Sequence, residues 1–137
     1  MSMTRREARE LAFILLFERE FCDKNMADIY EDAIEAREIE RNDFSVSLAE
    51  NAVVHLEEID GMIDEHSHKW NRDRISKVAL AILRCAIAEM RYLPETPVSV
   101  VINEAVELAK KYGGDEDYTF VNGLLGGVAR TQGEANA

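Results

Sequence analysis

Apolar residues recur at spacings of three and four along nearly the whole chain, and the period-two alternation of a half-buried strand is almost absent. Spacings of three and four gather side chains on one face of an α-helix; alternation would gather them on one face of a sheet. The expected fold class is therefore all-α, a compact bundle of about seven helices.

Local signals place the elements. Thr4 followed by Glu7 is the capping-box pattern and starts a helix running to about Phe21. Asn25 can cap a second, to about Ile39. Asp43 opens a third, whose apolar members Val46, Leu48, Ala49, Val53, Leu56 and Ile59 carry it to about Ile63. Residues 64–73, with His66, His68 and Trp70, read as a short helix or connector. A fourth long helix spans about Asp73 to Tyr92 behind a wide apolar stripe that includes Val78, Ile82, Leu83 and Ile87. Pro94 and Pro97 bracket the next break, and proline at a first helical position sacrifices no bond. The helix from Thr96-Pro97 ends at Gly113-Gly114, and Asp117 caps the last one. No internal repeat or flexible linker divides the chain, so residues 1–131 are expected to form a single domain, followed by a flexible tail at 132–137.

The net charge of −11 would repel nucleic acid if it were spread evenly. It is not: residues 1–17 carry +1, residues 18–66 carry −12 and residues 67–137 carry 0. Salt screens charge over about 8–10 Å, so a basic patch can act locally if folding separates it from the acidic segment. No apolar run reaches the roughly 18 residues that cross a bilayer, and no leader-like segment with a small-residue cleavage site is present, so no membrane association and a cytoplasmic location are expected. Cys22 and Cys85 are read as reduced core thiols.

No catalytic constellation emerges. Glu65-x-x-His68 is one half of a di-iron signature that needs two such pairs. No zinc spacing, phosphate-cradling loop or serine nucleophile motif accompanies it. The expectation is a protein that is not an enzyme, with no cofactor and no metal. Gly123, Gly126 and Gly127 lie within the last helix, where each costs roughly 1 kcal/mol of helix propensity; close helix packing is the reading adopted for them.

The first helix is more informative. Arg5, Arg6 and Arg9 fall within one face, which Phe13 and Leu16 continue and Phe17 borders. Such a face is either a solvated helix start with its phenylalanines in the core, or a surface on which guanidinium forks meet phosphate and rings meet bases. Arginines gain nothing from the dipole at a helix N-terminus, which tips the reading towards a recruited function. Arg84, inside an apolar helix, must reach a carboxylate, solvent or a ligand. Asn103, Glu107 and Lys110 follow one edge of the next helix, where Glu107 and Lys111 have ion-pair spacing. Phe120 and Asn122 flank the apolar Val121, with Phe120 read either as core or as a stacking surface.

Four strings in order resemble the NusB family: Arg5-Arg6-Glu7-Ala8-Arg9-Glu10-Leu11-Ala12; Ala81-Ile82-Leu83-Arg84 with Glu89 beyond it; the run from Pro97 to Gly113; and Phe120-Val121-Asn122-Gly123-Leu124-Leu125. The last two together are highly specific. After Leu125 the chain has Gly126-Gly127 where the family usually has an acidic-basic pair, and residues 20–66 carry none of its motifs. The resemblance implies two packed helical subdomains. It implies a transcription antitermination factor that, with the ribosomal protein acting as NusE, binds single-stranded box A RNA of nascent ribosomal transcripts and assists RNA polymerase in an antitermination complex. Carried over by position, Arg5, Arg6, Arg9, Arg84, Lys110, Phe120 and Asn122 become RNA contacts, and Glu116 a residue that modulates affinity. The alternatives are a protein-binding adaptor without an RNA role, or a helical domain cut from a ribosomal RNA cytosine methyltransferase, whose Rossmann-like catalytic domain these residues do not contain.

Overall fold

Capping chemistry sets most helix starts in the computed structural model, which describes residues 2–67 and 71–136. The described residues form seven α-helices and no strand: α1 Arg5–Arg19, α2 Met26–Arg37, α3 Asp43–Val54, α4 Leu56–His66, α5 Lys77–Tyr92, α6 Val98–Tyr112 and α7 Asp117–Asn136, with a 3-10 turn at Arg72–Arg74. At α1 the Thr4 hydroxyl accepts from the Glu7 N–H at 3.1 Å, and the Glu7 carboxylate accepts from the Thr4 N–H at 2.9 Å. The side chains of Asn25, Asn42 and Ser76 accept the orphan N–H groups of Asp28, Ser45 and Ala79. Each such cap contributes about 1 kcal/mol.

The structure departs from the sequence pattern where long-range contacts outweigh local ones. The helix expected over 43–63 is two, broken at His55, whose ring stacks on Tyr92 at 3.7 Å between centroids. No glycine or proline marks that break, so only the distant partner explains it. The fourth long helix starts at Lys77 and not near Asp73, because Ser76 caps it and the 3-10 turn fills the approach. α2 stops at Arg37, since Glu38 enters the left-handed region at φ 52°. Asp117 does not cap α7 forwards. It is the helix's first residue, and its carboxylate turns back to accept from the Gly114 N–H and the Ser76 hydroxyl. Past Thr131, where a tail was expected, α7 continues to Asn136. His68 and Trp70 lie outside the described residues.

Helices α1–α3 pack as one group and α4–α7 as another, joined where α1 and α3 lie against α5. Every residue of α5 from Ala79 to Met90 is buried, as befits a helix apolar on all sides. Full burial of a side chain such as Leu83 or Ile87 stabilises the fold by roughly 1.5–3 kcal/mol. Two charges sit in this buried stretch, and both are neutralised from the neighbouring elements: Glu89 by Arg9 of α1, and Arg84 by Asp60 of α4 and Glu20 just after α1.

Candidate nucleic-acid interface

The face of α1 that carries Arg5, Arg6 and Arg9 is split by the packing. Arg9 points inward and is buried. Its Nε and Nη2 donate to the two oxygens of Glu89 at 2.7 and 2.9 Å, and Nη2 reaches the Thr96 hydroxyl at 3.3 Å. Phe13 and Leu16, which continue that face along the helix, are only 2% and 6% exposed, in line with the reading that puts Phe13 in the core. Arg9 is thus corrected from an RNA contact to an internal tie between α1 and α5. Releasing it would leave the Glu89 carboxylate buried and unpaired, which is very costly.

Arg84 needs the same correction. Its Nε and Nη2 donate to Asp60 at 2.9 and 3.0 Å, and Nη1 pairs with Glu20. Arg72 joins Asp60 from outside at 2.8 Å. All three guanidinium nitrogens are therefore engaged on the side of α5 that meets α4 and the end of α1, away from Arg5 at the start of α1.

Arg5 and Arg6 stay in solvent. Arg5 has no carboxylate partner among the described residues; its Cζ lies 3.9 Å over the ring centroid of Phe44, the second residue of α3. Arg6 forms a two-pronged pair with Glu104 of α6, through Nε at 3.0 Å and Nη2 at 2.9 Å. Further along the seam between α1 and α6, Glu10 accepts from Lys111 at 3.0 Å and from the Tyr112 hydroxyl at 2.9 Å. The expected Glu107–Lys111 pair does not form; Glu107 instead meets Lys110 at 3.7 Å. Lys110 is exposed, 5.4 Å from the ring centre of Tyr118. The start of α7 continues this edge, because Gly113 holds α6 and α7 in a tight corner. A Cβ at Gly113 would meet the Asp117 carboxylate at 2.7 Å and the Ala109 carbonyl at 2.8 Å.

At that corner Phe120 is half-buried against the core, and one side lines an open pocket of about 150 Å³ with Arg74, Ile75, Ser76, Glu116 and Asp117. Asn122 and Glu116 are exposed. Arg6 and Lys110 thus lie along the α1–α6 seam, with Tyr118 of α7 beside Lys110, while Arg5 turns to Phe44 of α3; Glu116 and Phe120 share the pocket at the start of α7, and Asn122, two residues on, points to roughly the opposite side of that helix. Ser76 and Glu89 are thirteen residues apart on α5, which sets the Phe120 pocket roughly 20 Å from the Arg9 end of the seam.

Three groups at this surface were missed by the sequence reading. Phe44 had no motif, and Arg74 and Lys77, exposed and without an acidic partner among the described residues, fell in the connector and at a boundary. Elsewhere, His66 has both ring nitrogens engaged, Nδ1 with the Met62 carbonyl at 2.8 Å and Nε2 with the Thr131 hydroxyl at 3.1 Å. Close helix packing accounts for Gly127, where a Cβ would stand 2.8 Å from the His66 ring, but not for Gly123, which faces open space. Both cysteines are free; Cys85 is in the core, whereas Cys22 is exposed and so is not a core thiol. No described helix is long and apolar enough to cross a membrane.

Comparison with known proteins matches this architecture. The model of the NusB family matches residues 6–130. The transcription antitermination protein NusB of Acetivibrio thermocellus is 40% identical over 132 residues, covering 95% of this chain and 91% of that protein. Among solved structures, a NusB of T. maritima has a TM-score of 0.87 at 31% identity, covering 95% of this chain and 93% of the other. A crystal structure of the antitermination factors NusB and NusE in complex with dsRNA gives 0.83 at 30% identity, covering 93% and 96%.

Proposed function

The chain belongs to the NusB family of transcription antitermination factors, and from that premise we propose that it binds the single-stranded box A element of nascent ribosomal transcripts with a NusE partner. The assembly then helps RNA polymerase pass terminators, in the cytoplasm and without any chemistry of its own. The relative solved with NusE and dsRNA supports a NusE partner and an RNA ligand.

One observation carries the RNA reading: the seam from α1 over α6 to α7 alternates cations with rings. Arg6 and Lys110 supply its cations and Tyr118 stands beside Lys110, while Arg5 on Phe44 adjoins at the start of α1 and Phe120 lines the pocket at the start of α7. Cations meet the phosphates of a strand while rings receive its unstacked bases. A duplex would offer few unstacked bases, so a single strand is the better fit. Glu104 and Glu10 hold Arg6 and Lys111 and compete with phosphate for them, so the protein alone binds weakly and a partner adds the missing affinity.

Fluorescence anisotropy of a labelled box A RNA, with and without NusE, tests the reading. Weak binding alone and much tighter binding with NusE is the expected result. Binding that ignores the sequence of the strand, or no binding in either mixture, contradicts it.

A further inference from the structure

We propose that Arg5 and Phe44 together form a nucleobase-stacking subsite, in which Phe44 backs the Arg5 guanidinium and one unpaired base of the RNA lies on its outer face. The proposal rests on the RNA reading above and names a residue pair and a ligand class within it.

The two exposed arginines of α1 are held differently. Arg6 is locked edge-to-edge to a carboxylate, as an arginine held by charge would be. Arg5 has no carboxylate among the described residues and lies over an aromatic ring. At 3.9 Å from Cζ to the ring centroid, the guanidinium plane lies against the ring, because a group standing on edge would place its carbon farther out. A guanidinium has two flat faces, both weakly hydrated and both able to stack. With one face on Phe44, the other points away from the ring.

Phe44 is well placed to hold such a stack still. It follows Asp43 at the start of α3, which Asn42 anchors through the Ser45 N–H, and it packs against the hydrophobic core. The buried guanidinium of Arg9, itself fixed by Glu89, lies 5.6 Å from the same ring. Two arginines thus approach the ring, the buried and fixed Arg9 and the exposed Arg5. The capping box at Thr4 and Glu7 fixes the backbone from which Arg5 projects. A preset arginine gives up little rotamer freedom on binding, which favours a flat π-system over a phosphate that any flexible cation could meet. Phe44 is in this sense a positioning residue, and Arg5 the group that touches the base.

The test uses the full chain with NusE and a labelled single-stranded box A RNA, intact or with one base at a time replaced by an abasic nucleotide. Phe44→Leu keeps an apolar side chain in the core and removes the ring. It is expected to weaken binding about tenfold, within what stacking of one base contributes, while Phe44→Tyr retains the affinity of the parent. One abasic position should weaken the parent by a similar factor and leave Phe44→Leu unaffected, since the stack is already gone. The salt dependence should be the same in Phe44→Leu as in the parent, because no phosphate contact is lost. If the parent binds and Phe44→Leu binds within about twofold of it, below the range expected for a stacked base, the stack is wrong and the RNA reading stands. The stack is also wrong if every abasic position costs Phe44→Leu as much as the parent. If the parent binds no RNA, the RNA reading fails and takes the subsite with it.

Discussion

Arg84→Met separates a structural arginine from an RNA contact. The side chain is 10% exposed, Asp60 is 9% exposed, and the two share a two-pronged pair at 2.9 and 3.0 Å. Removing one member of a buried pair costs about 3–5 kcal/mol, because the other is left charged in a poor solvent. Two features pull the value to the lower end. Arg72 still neutralises Asp60 at 2.8 Å, and Glu20, 23% exposed, can take up water. Methionine also keeps most of the buried volume. A cost of about 3 kcal/mol, at an unfolding entropy of about 2 cal/mol/K per residue, lowers Tm by about 10 °C. Differential scanning calorimetry reads the shift directly. RNA binding, measured well below the transition, is expected to be unchanged. Removing both charges with Arg84→Met and Asp60→Leu should recover much of the stability, since no uncompensated carboxylate remains on α4 at that point. A variant that melts with the parent yet loses RNA would refute the reasoning.

Three further outcomes follow from particular contacts. Gly127→Ala drives a Cβ to 2.8 Å from a His66 ring that both its nitrogens hold in place, and should cost about 1–3 kcal/mol; Gly123→Ala meets nothing and should gain about 1 kcal/mol, both read by thermal melts. Burial first, and the Glu89 charge second, push the Cys85 thiol well above its ordinary range, so a thiol reagent followed by intact mass should modify Cys22 in the native protein and Cys85 only after urea unfolding. Glu104→Gln removes the carboxylate that competes with phosphate for the Arg6 guanidinium, so RNA affinity should rise in anisotropy titrations.

What could be read from the residues alone follows the range of the interactions. The helix starts signalled by Thr4, Asn25 and Asp43 are decided within four residues, and they agree with the structure to within a residue, Asn42 and not Asp43 being the cap of α3. The buried stripe of α5 was equally plain, since its apolar residues leave no polar face. Arg9 and Arg84 were misassigned because their partners, Glu89 and Asp60, stand 80 and 24 positions away. Helical periodicity put Arg5, Arg6 and Arg9 on one face, but whether that face meets water or α5 is a property of packing. Phe44 could not have been singled out either: its use depends on α3 crossing beside the first turn of α1. For the same reason the break at His55 was invisible, as its cause is a stacking partner in α5.

The account depends on the cations of the α1–α6 seam meeting RNA phosphates. The most direct measurement is the salt dependence of box A RNA affinity for the parent and for Arg6→Ala with Lys110→Ala, with unfolding monitored in parallel. Each phosphate contact on a single strand contributes about −0.7 to the slope of log K against log[salt], so the double variant should bind more weakly with a slope shallower by about 1.4 and an unchanged Tm. Equal affinity and equal slope in the two proteins would mean that the strand, if it binds, lies elsewhere.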